Sequence, residues 1–176
     1  LGRKKHMGYT TDFFGEFTLD KPLSAAQVAY LSKFSDTRRM TRDATITATL
    51  PDPLRLAVGL PVGVDGGYYV GSTAMAGQDW TPSPGVLSNN APPSGQPGLW
   101  CKWVPTEDGS GIKWNEMEKF YEYTEWLNYI IVHFLTPWGI KISGEVRFQG
   151  EDSDDRGVVR IVDGVAVRKC DQIIPA

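Results

Sequence analysis

The sequence predicts an α+β protein: a two-layer sandwich whose mainly antiparallel sheet carries two amphipathic helices on one face. Three observations lead there. The stretch Ile140-Lys141-Ile142-Ser143-Gly144-Glu145-Val146-Arg147-Phe148-Gln149 alternates apolar and polar residues, as a strand with one covered face does. Two other stretches repeat apolar residues every three to four positions, the stripe of a core-facing helix. Short polar turns join the last strands, which favours antiparallel neighbours. A ferredoxin-like core with additions is the nearest common architecture.

Residues 9–19 read as one strand, with Thr11, Phe13, Gly15, Phe17 and Leu19 on a shared face. Lys21-Pro22 ends it. Ser24 is placed to cap a helix, and Gln27 takes the reciprocal position of a capping box. Val28, Leu31 and Phe34 then face inward. Residues 45–50 read as a second strand, and Tyr68-Tyr69-Val70, after the turn Asp65-Gly66-Gly67, as a short third. Between 73 and 98 periodicity gives way to five prolines and four glycines, a long irregular excursion of the kind that is unusual in a compact domain.

The apolar run 99–104 predicts an interior strand, with Cys101 and Trp103 toward the core and Trp100 and Lys102 on the opposite face. Glu107-Asp108-Gly109 turns the chain, and Ile112-Lys113-Trp114 returns antiparallel. Asn115 and Glu118 form a second capping signature. The helix expected after them carries Met117, Phe120, Thr124, Leu127, Ile131 and Phe134 on its apolar stripe and stops at Pro137. The strand 140–149 follows. Beyond the polar turn 150–157, Asp163-Gly164 joins two last strands as a two-residue hairpin turn.

Residues 1–6, which precede Met7, read as a tag remnant, and 7–176 as a single domain. The chain has 18 basic and 21 acidic residues, a net charge of −3; without Arg3, Lys4 and Lys5 it is −6. A protein of that charge is not drawn to nucleic acid by its overall field. No apolar run approaches the roughly 20 residues of a membrane helix. Cys101 and Cys170 are the only cysteines and are expected as reduced thiols, which favours a cytoplasmic setting.

Several segments also look familiar. They are Leu99-Trp100-Cys101-Lys102-Trp103-Val104-Pro105-Thr106-Glu107-Asp108-Gly109, Glu118-Lys119-Phe120-Tyr121-Glu122-Tyr123-Thr124-Glu125-Trp126-Leu127, and Gly144-Glu145-Val146-Arg147-Phe148-Gln149-Gly150-Glu151-Asp152. With Met7-Gly8-Tyr9-Thr10-Thr11-Asp12-Phe13 and Thr37-Arg38-Arg39-Met40, they resemble a family of uncharacterised proteins of bacteria and bacteriophages. The resemblance implies an intracellular accessory protein of phage or prophage origin. It carries no activity or site residue, and the middle of the chain, about 43–95, departs from it.

The residue inventory argues against familiar catalysis. His133 is the one histidine after the tag, and CxxC, HExxH, GxxxxGK[ST] and GxGxxG patterns are lacking, so no metal or cofactor is expected. Asp152, Asp154 and Gly157 match part of a calcium loop, but Arg156 stands where an oxygen ligand is required. Glu145, Glu151 and Asp154 are the carboxylates a hydrolase reading would use. Binding fits better. Lys33, Arg38, Arg39 and Arg42 gather positive charge in an acidic chain, and guanidinium groups suit phosphates or carboxylates. Trp100, Lys102 and Trp114 lie on neighbouring strand segments, where exposed rings stack unpaired bases in several folds. Two partners are therefore expected as alternatives: a host protein engaged through the excursion 73–98, or a nucleic acid held by Arg38, Arg39, Arg42, Trp100, Lys102 and Trp114.

Overall fold

The computed structural model describes residues 8–71 and 84–172. Its architecture follows from two long alternating segments that pair with each other and bend together. The first divides at Gly15 into β1 (Thr11–Phe14) and β2 (Phe17–Leu19). Later in the chain Gly144 divides the second into β7 (Ile142–Ser143) and β8 (Glu145–Gly150). Both glycines have positive φ, 101° and 99°, which side-chain-bearing residues rarely adopt. β1 pairs with β8 and β2 with β7, so the ribbon turns a corner and feeds two sheets. Alternate residues are buried on both sides of the exposed Gly15, with Thr11 and Phe13 before it and Phe17 and Leu19 after it.

The elements between them, in chain order, are α1 (Ala25–Asp36), β3 (Thr41–Arg42), α2 (Ala44–Thr47), α3 (Pro53–Ala57), β4 (Val86–Ser88), β5 (Trp103–Pro105), β6 (Gly111–Trp114) and α4 (Tyr123–Ile130). The chain ends in β9 (Arg156–Val162) and β10 (Val165–Cys170). One antiparallel sheet has the order β1-β8-β9-β10, the other β5-β6-β2-β7, and β3 and β4 form a separate ribbon. The fold is α+β, with two four-stranded sheets where a single ferredoxin-like sheet was expected. α4 packs on β10 of one sheet and β5 of the other, while α1 packs on β5.

Local sequence signals hold where the chemistry is local. The Ser24 hydroxyl accepts from Gln27 N at 3.1 Å and Gln27 Oε1 accepts from Ser24 N at 2.9 Å, closing the capping box. Asp163 and Gly164 have φ of 49° and 78°, the left-handed pair a two-residue hairpin turn needs. Trp103 pairs with Trp114 across β5 and β6, with Trp103 and Cys101 in the core.

Three expectations are corrected. Residues 45–50 are not a strand: Asp43 Oδ1 accepts from Thr45 N and Ile46 N and caps the short helix α2 instead. Tyr68-Tyr69-Val70 lies outside the sheets and follows a 3₁₀ turn, Val64–Gly66. The second long helix starts at Tyr123, not at Asn115. Glu116, Lys119 and Glu122 all have positive φ, and the Asn115 side chain accepts from Met117 N in a local turn. Met117 therefore stands 60% exposed, off the stripe, while Phe120 still reaches the core.

One hydrophobic cluster joins both sheets and both long helices. Its aromatic rings form edge-to-face chains: Phe13 meets Trp103, Phe120 and Tyr123, while Phe34 meets Trp126 and Phe134. Of the irregular excursion, residues 73–83 lie outside the described residues, as does the tag 1–6. Residues 84–98 form a strap laid over the end of α1 and β3.

Candidate functional site

Two of the arginines that were expected to hold a ligand, Arg38 and Arg39, hold the strap instead. Arg38 Nε donates to the Asn89 carbonyl at 2.8 Å and its Nη2 to Asn90 Oδ1 at 3.2 Å. Arg39 donates from Nε to Gln96 Oε1 at 3.3 Å and from Nη2 to the Gly67 carbonyl at 2.6 Å, with its guanidinium 4.0 Å from the centre of the Phe34 ring. Arg42 lies on Tyr69, its guanidinium 4.4 Å from that ring centre. Backbone bonds add to this, among them Thr41 N to Ala91 O and Asp43 N to Gly85 O.

This corrects the proposed role of two residues. Arg39 and Arg42 are buried, at 2% and 3% exposure, so neither presents a cation to an extended polymer. Burial pulls the Arg39 guanidinium down to about 10 and lowers Arg42 as well. The motif looked basic because spacing alone does not say which arginines turn inward. Arg38 is half-buried and engaged with the strap.

Of the three residues expected on the sheet, Trp100 and Lys102 precede β5 and Trp114 alone lies on a strand, β6; Lys102 and Trp114 also have internal work. Lys102 Nζ donates to the Glu118 carbonyl, and Trp114 Nε1 donates to the Met117 carbonyl at 3.0 Å. Both tie down the irregular segment 115–121. Trp100, Lys102 and Trp114 are half-buried, and the Trp114 ring packs 5.5 Å from Phe13.

Under the strap lies a buried polar network that no sequence motif announced. Gln96 Nε2 donates to the Gly67 carbonyl at 2.6 Å and to the Tyr129 hydroxyl at 2.9 Å. The Tyr129 ring stacks on His133, centroids 4.1 Å apart, and His133 Nδ1 lies 2.7 Å from the Tyr68 hydroxyl. His133 sits in a π-helical turn, Ile131–Leu135, that continues α4, a backbone form often found at functional sites. Burial lowers its pKa and so favours the neutral ring, hydrogen-bonded through Nδ1 to the Tyr68 hydroxyl. Burial also pushes Tyr129 up to about 12. Asp52 is buried beside Arg55, with Oδ2 2.6 Å from Arg55 Nε. The buried set thus holds Arg39, Arg42 and Arg55 against one carboxylate, Asp52, among the described residues.

The catalytic alternatives fare differently. Glu145 is salt-bridged to Arg160 at 2.8 Å on an exposed sheet face. Asp155, in the acidic turn, accepts from Tyr9 at 2.7 Å and from Arg168 at 2.5 Å, bonds that fasten the first strand to the last hairpin. No group of three or more His, Cys, Asp or Glu suited to a metal ion occurs among the described residues. No described helix is long and apolar enough to cross a membrane.

Around the strap, three aliphatic side chains point outward. Ile46 on α2 is 46% exposed, Val64 on the 3₁₀ turn 71% and Leu87 on β4 68%. Their elements pack together: α2 and β3 rest on the 3₁₀ turn, and β4 pairs with β3. Sequence reasoning missed them because α2 was read as a strand, and the turn reads only as a connection. No family model, curated protein or solved structure matches the chain.

Proposed function

We propose that this chain is a non-catalytic accessory protein that engages a protein partner through the strap face. One observation carries the reading: Ile46, Val64 and Leu87 stand exposed on mutually packed elements around the strap. Grouped exposed aliphatic side chains of this kind characterise protein-binding surfaces. Half-buried Arg38 and buried Arg39 supply rigidity, since they tie the strap to the end of α1 through bonds to Asn89 and Gln96. The resemblance to bacterial and phage proteins favours a host protein as the partner and a cytoplasmic setting.

The test is a triple substitution, Ile46→Asp, Val64→Asp and Leu87→Asp, in the chain starting at Met7. Affinity capture from bacterial lysate is expected to recover a partner with the wild type and lose it with the triple variant. Circular dichroism and Tm are expected to show the fold retained. Capture that survives the three substitutions contradicts the proposal.

A nucleic-acid reading ranks second, moved to a different surface. The outward face of the β1-β8-β9-β10 sheet carries Arg147, Arg156, Arg160 and Lys169, with Phe14 60% exposed. Its charge is largely countered: Arg147 and Arg156 lie against Asp171 at 2.8 and 3.8 Å, and Arg160 against Glu145 at 2.8 Å. Fluorescence anisotropy with single-stranded DNA, duplex DNA and RNA at roughly 50 and 200 mM salt separates the readings. Salt-sensitive binding that Phe14→Ala weakens favours the sheet face.

A further inference from the structure

β10 is an edge of its sheet, and the hydrogen bonds around it show which of its backbone groups are open. Ala166 gives both its N–H and its C=O to Asn128, so those groups point away from β9. Backbone direction alternates along a strand, so Arg168 and Cys170 aim theirs the same way. β9 is the one strand beside β10, and no described residue meets the outward backbone groups of Arg168 or Cys170. The alternate residues turn back to β9, as Asp171 N does to the Arg156 carbonyl at 2.8 Å.

An open edge is a template for another strand, and proteins guard such edges with prolines, bulges or charge. β10 has no proline and pairs with β9 in unbroken register from Val165 to Cys170. It is also held stiffly. Arg168 donates from Nε to the Tyr123 hydroxyl at 2.8 Å, from Nη2 to Asp155 at 2.5 Å and from Nη1 to Cys170 Sγ at 2.9 Å. An edge already fixed as a strand loses little freedom on pairing. Charge is the remaining guard, and here it selects a register.

The strand that fits is a second β10, antiparallel across a two-fold axis. Centred on Val167 or Arg168, the pairing needs the Ala166 groups that Asn128 already holds. Centred on Lys169 or Asp171, it sets like charges face to face with Cα atoms about 4.5 Å apart. Centred on Cys170, it meets neither obstacle. Lys169 of each copy then faces Asp171 of the other on the outer side of the sheet, and Arg168 faces Gln172. We infer that this chain forms a two-fold dimer through β10, with Cys170 of one copy opposite Cys170 of the other. Those two residues form a hydrogen-bonded pair whose Cα atoms lie about 5.5 Å apart, a separation that a disulfide spans. The inference does not rest on the partner-binding reading, since Ile46, Val64 and Leu87 belong to other elements.

Sedimentation equilibrium of the full chain is expected to show monomer and dimer in exchange at concentrations on the order of 10–100 μM, as a small interface gives. Lys169→Glu sets a carboxylate against Asp171 and is expected to weaken the dimer about tenfold. Lys169 is exposed, so circular dichroism should show the fold retained. Asp171→Lys sets two ammonium groups together and should weaken it likewise. Mixed, the two variants complement each other at both contacts, and their heterodimer is expected to form in preference to either homodimer. Diamide takes up both thiol hydrogens as the disulfide forms and so traps each species for mass spectrometry. Cys101 is buried and does not compete. A Cys170–Cys170 bridge that joins the two different variants in excess supports the dimer and its register. A chain that stays monomeric throughout, a Lys169→Glu dimer as tight as wild type, or a statistical mixture of bridged species overturns the inference.

Discussion

Removing the side-chain amide of Asn128 is expected to loosen the outer edge of the β1-β8-β9-β10 sheet. β10 is the last strand of that sheet, and such an edge leaves backbone groups without a strand partner. Asn128, from α4, fills the gap at one residue: its Nδ2 donates to the Ala166 carbonyl at 3.0 Å and its Oδ1 accepts from Ala166 N at 2.8 Å. The amide therefore does what a neighbouring strand would do, and it does so at a residue only 3% exposed. Asn128→Ala deletes two bonds and leaves a buried N–H and C=O unpaired, a loss of about 2–4 kcal/mol. For a chain of this size that is roughly 4–16 °C in Tm. Urea denaturation and calorimetry measure both quantities.

Asn128→Asp sharpens the test. The introduced carboxylate still accepts from Ala166 N but faces the Ala166 carbonyl with no proton to give. Its folded-state pKa is therefore raised above the unfolded value of about 3.9. At pH 7 the variant is expected to be less stable than Asn128→Ala. As pH falls through the raised value the carboxyl gains a donor, and the gap to wild type narrows. If Asn128→Ala lies within about 0.5 kcal/mol of wild type, the edge-capping argument is refuted.

His133 is expected to contribute to acid sensitivity: burial depresses its pKa, so the folded state favours the neutral ring bonded to the Tyr68 hydroxyl. Its share of the stability is intact above the unfolded value of about 6.5 and is lost as pH falls through the lower folded value. The Tm advantage of wild type over His133→Phe should shrink between pH 8 and pH 5; a constant difference would falsify this. The two thiols should react in sequence under an alkylating reagent followed by mass spectrometry. Cys170 is exposed, while Cys101 is buried, its thiol pushed up to about 12, and should modify only on unfolding.

Sequence alone determined the parts of this protein that depend on near neighbours. The Ser24–Gln27 box, the Asp163-Gly164 turn and the alternation of buried and exposed residues in 11–19 and 142–150 are all set within a few residues. The antiparallel α+β character follows from them. The corner in the paired ribbon was written as Gly15 and Gly144, but a glycine inside an alternating strand does not say whether the strand bends or into which sheet each half goes. Tertiary structure decided that, because β1 and β2 find different partners. It also decided the fate of the arginines. Arg38, Arg39 and Arg42 form one basic run in sequence, yet Arg39, after α1, and Arg42, on β3, turn into the interior, where Phe34 and Gln96 take up the first and Tyr69 the second. The same holds for Asn115, whose capping signature was outweighed by a local turn that let Phe120 reach the core. Gln96, Tyr129, His133 and Tyr68 meet from positions far apart in the chain, and no local pattern records a contact of that range. Propensity and periodicity act over a few residues, whereas burial and hydrogen-bond satisfaction are settled by the whole packed chain.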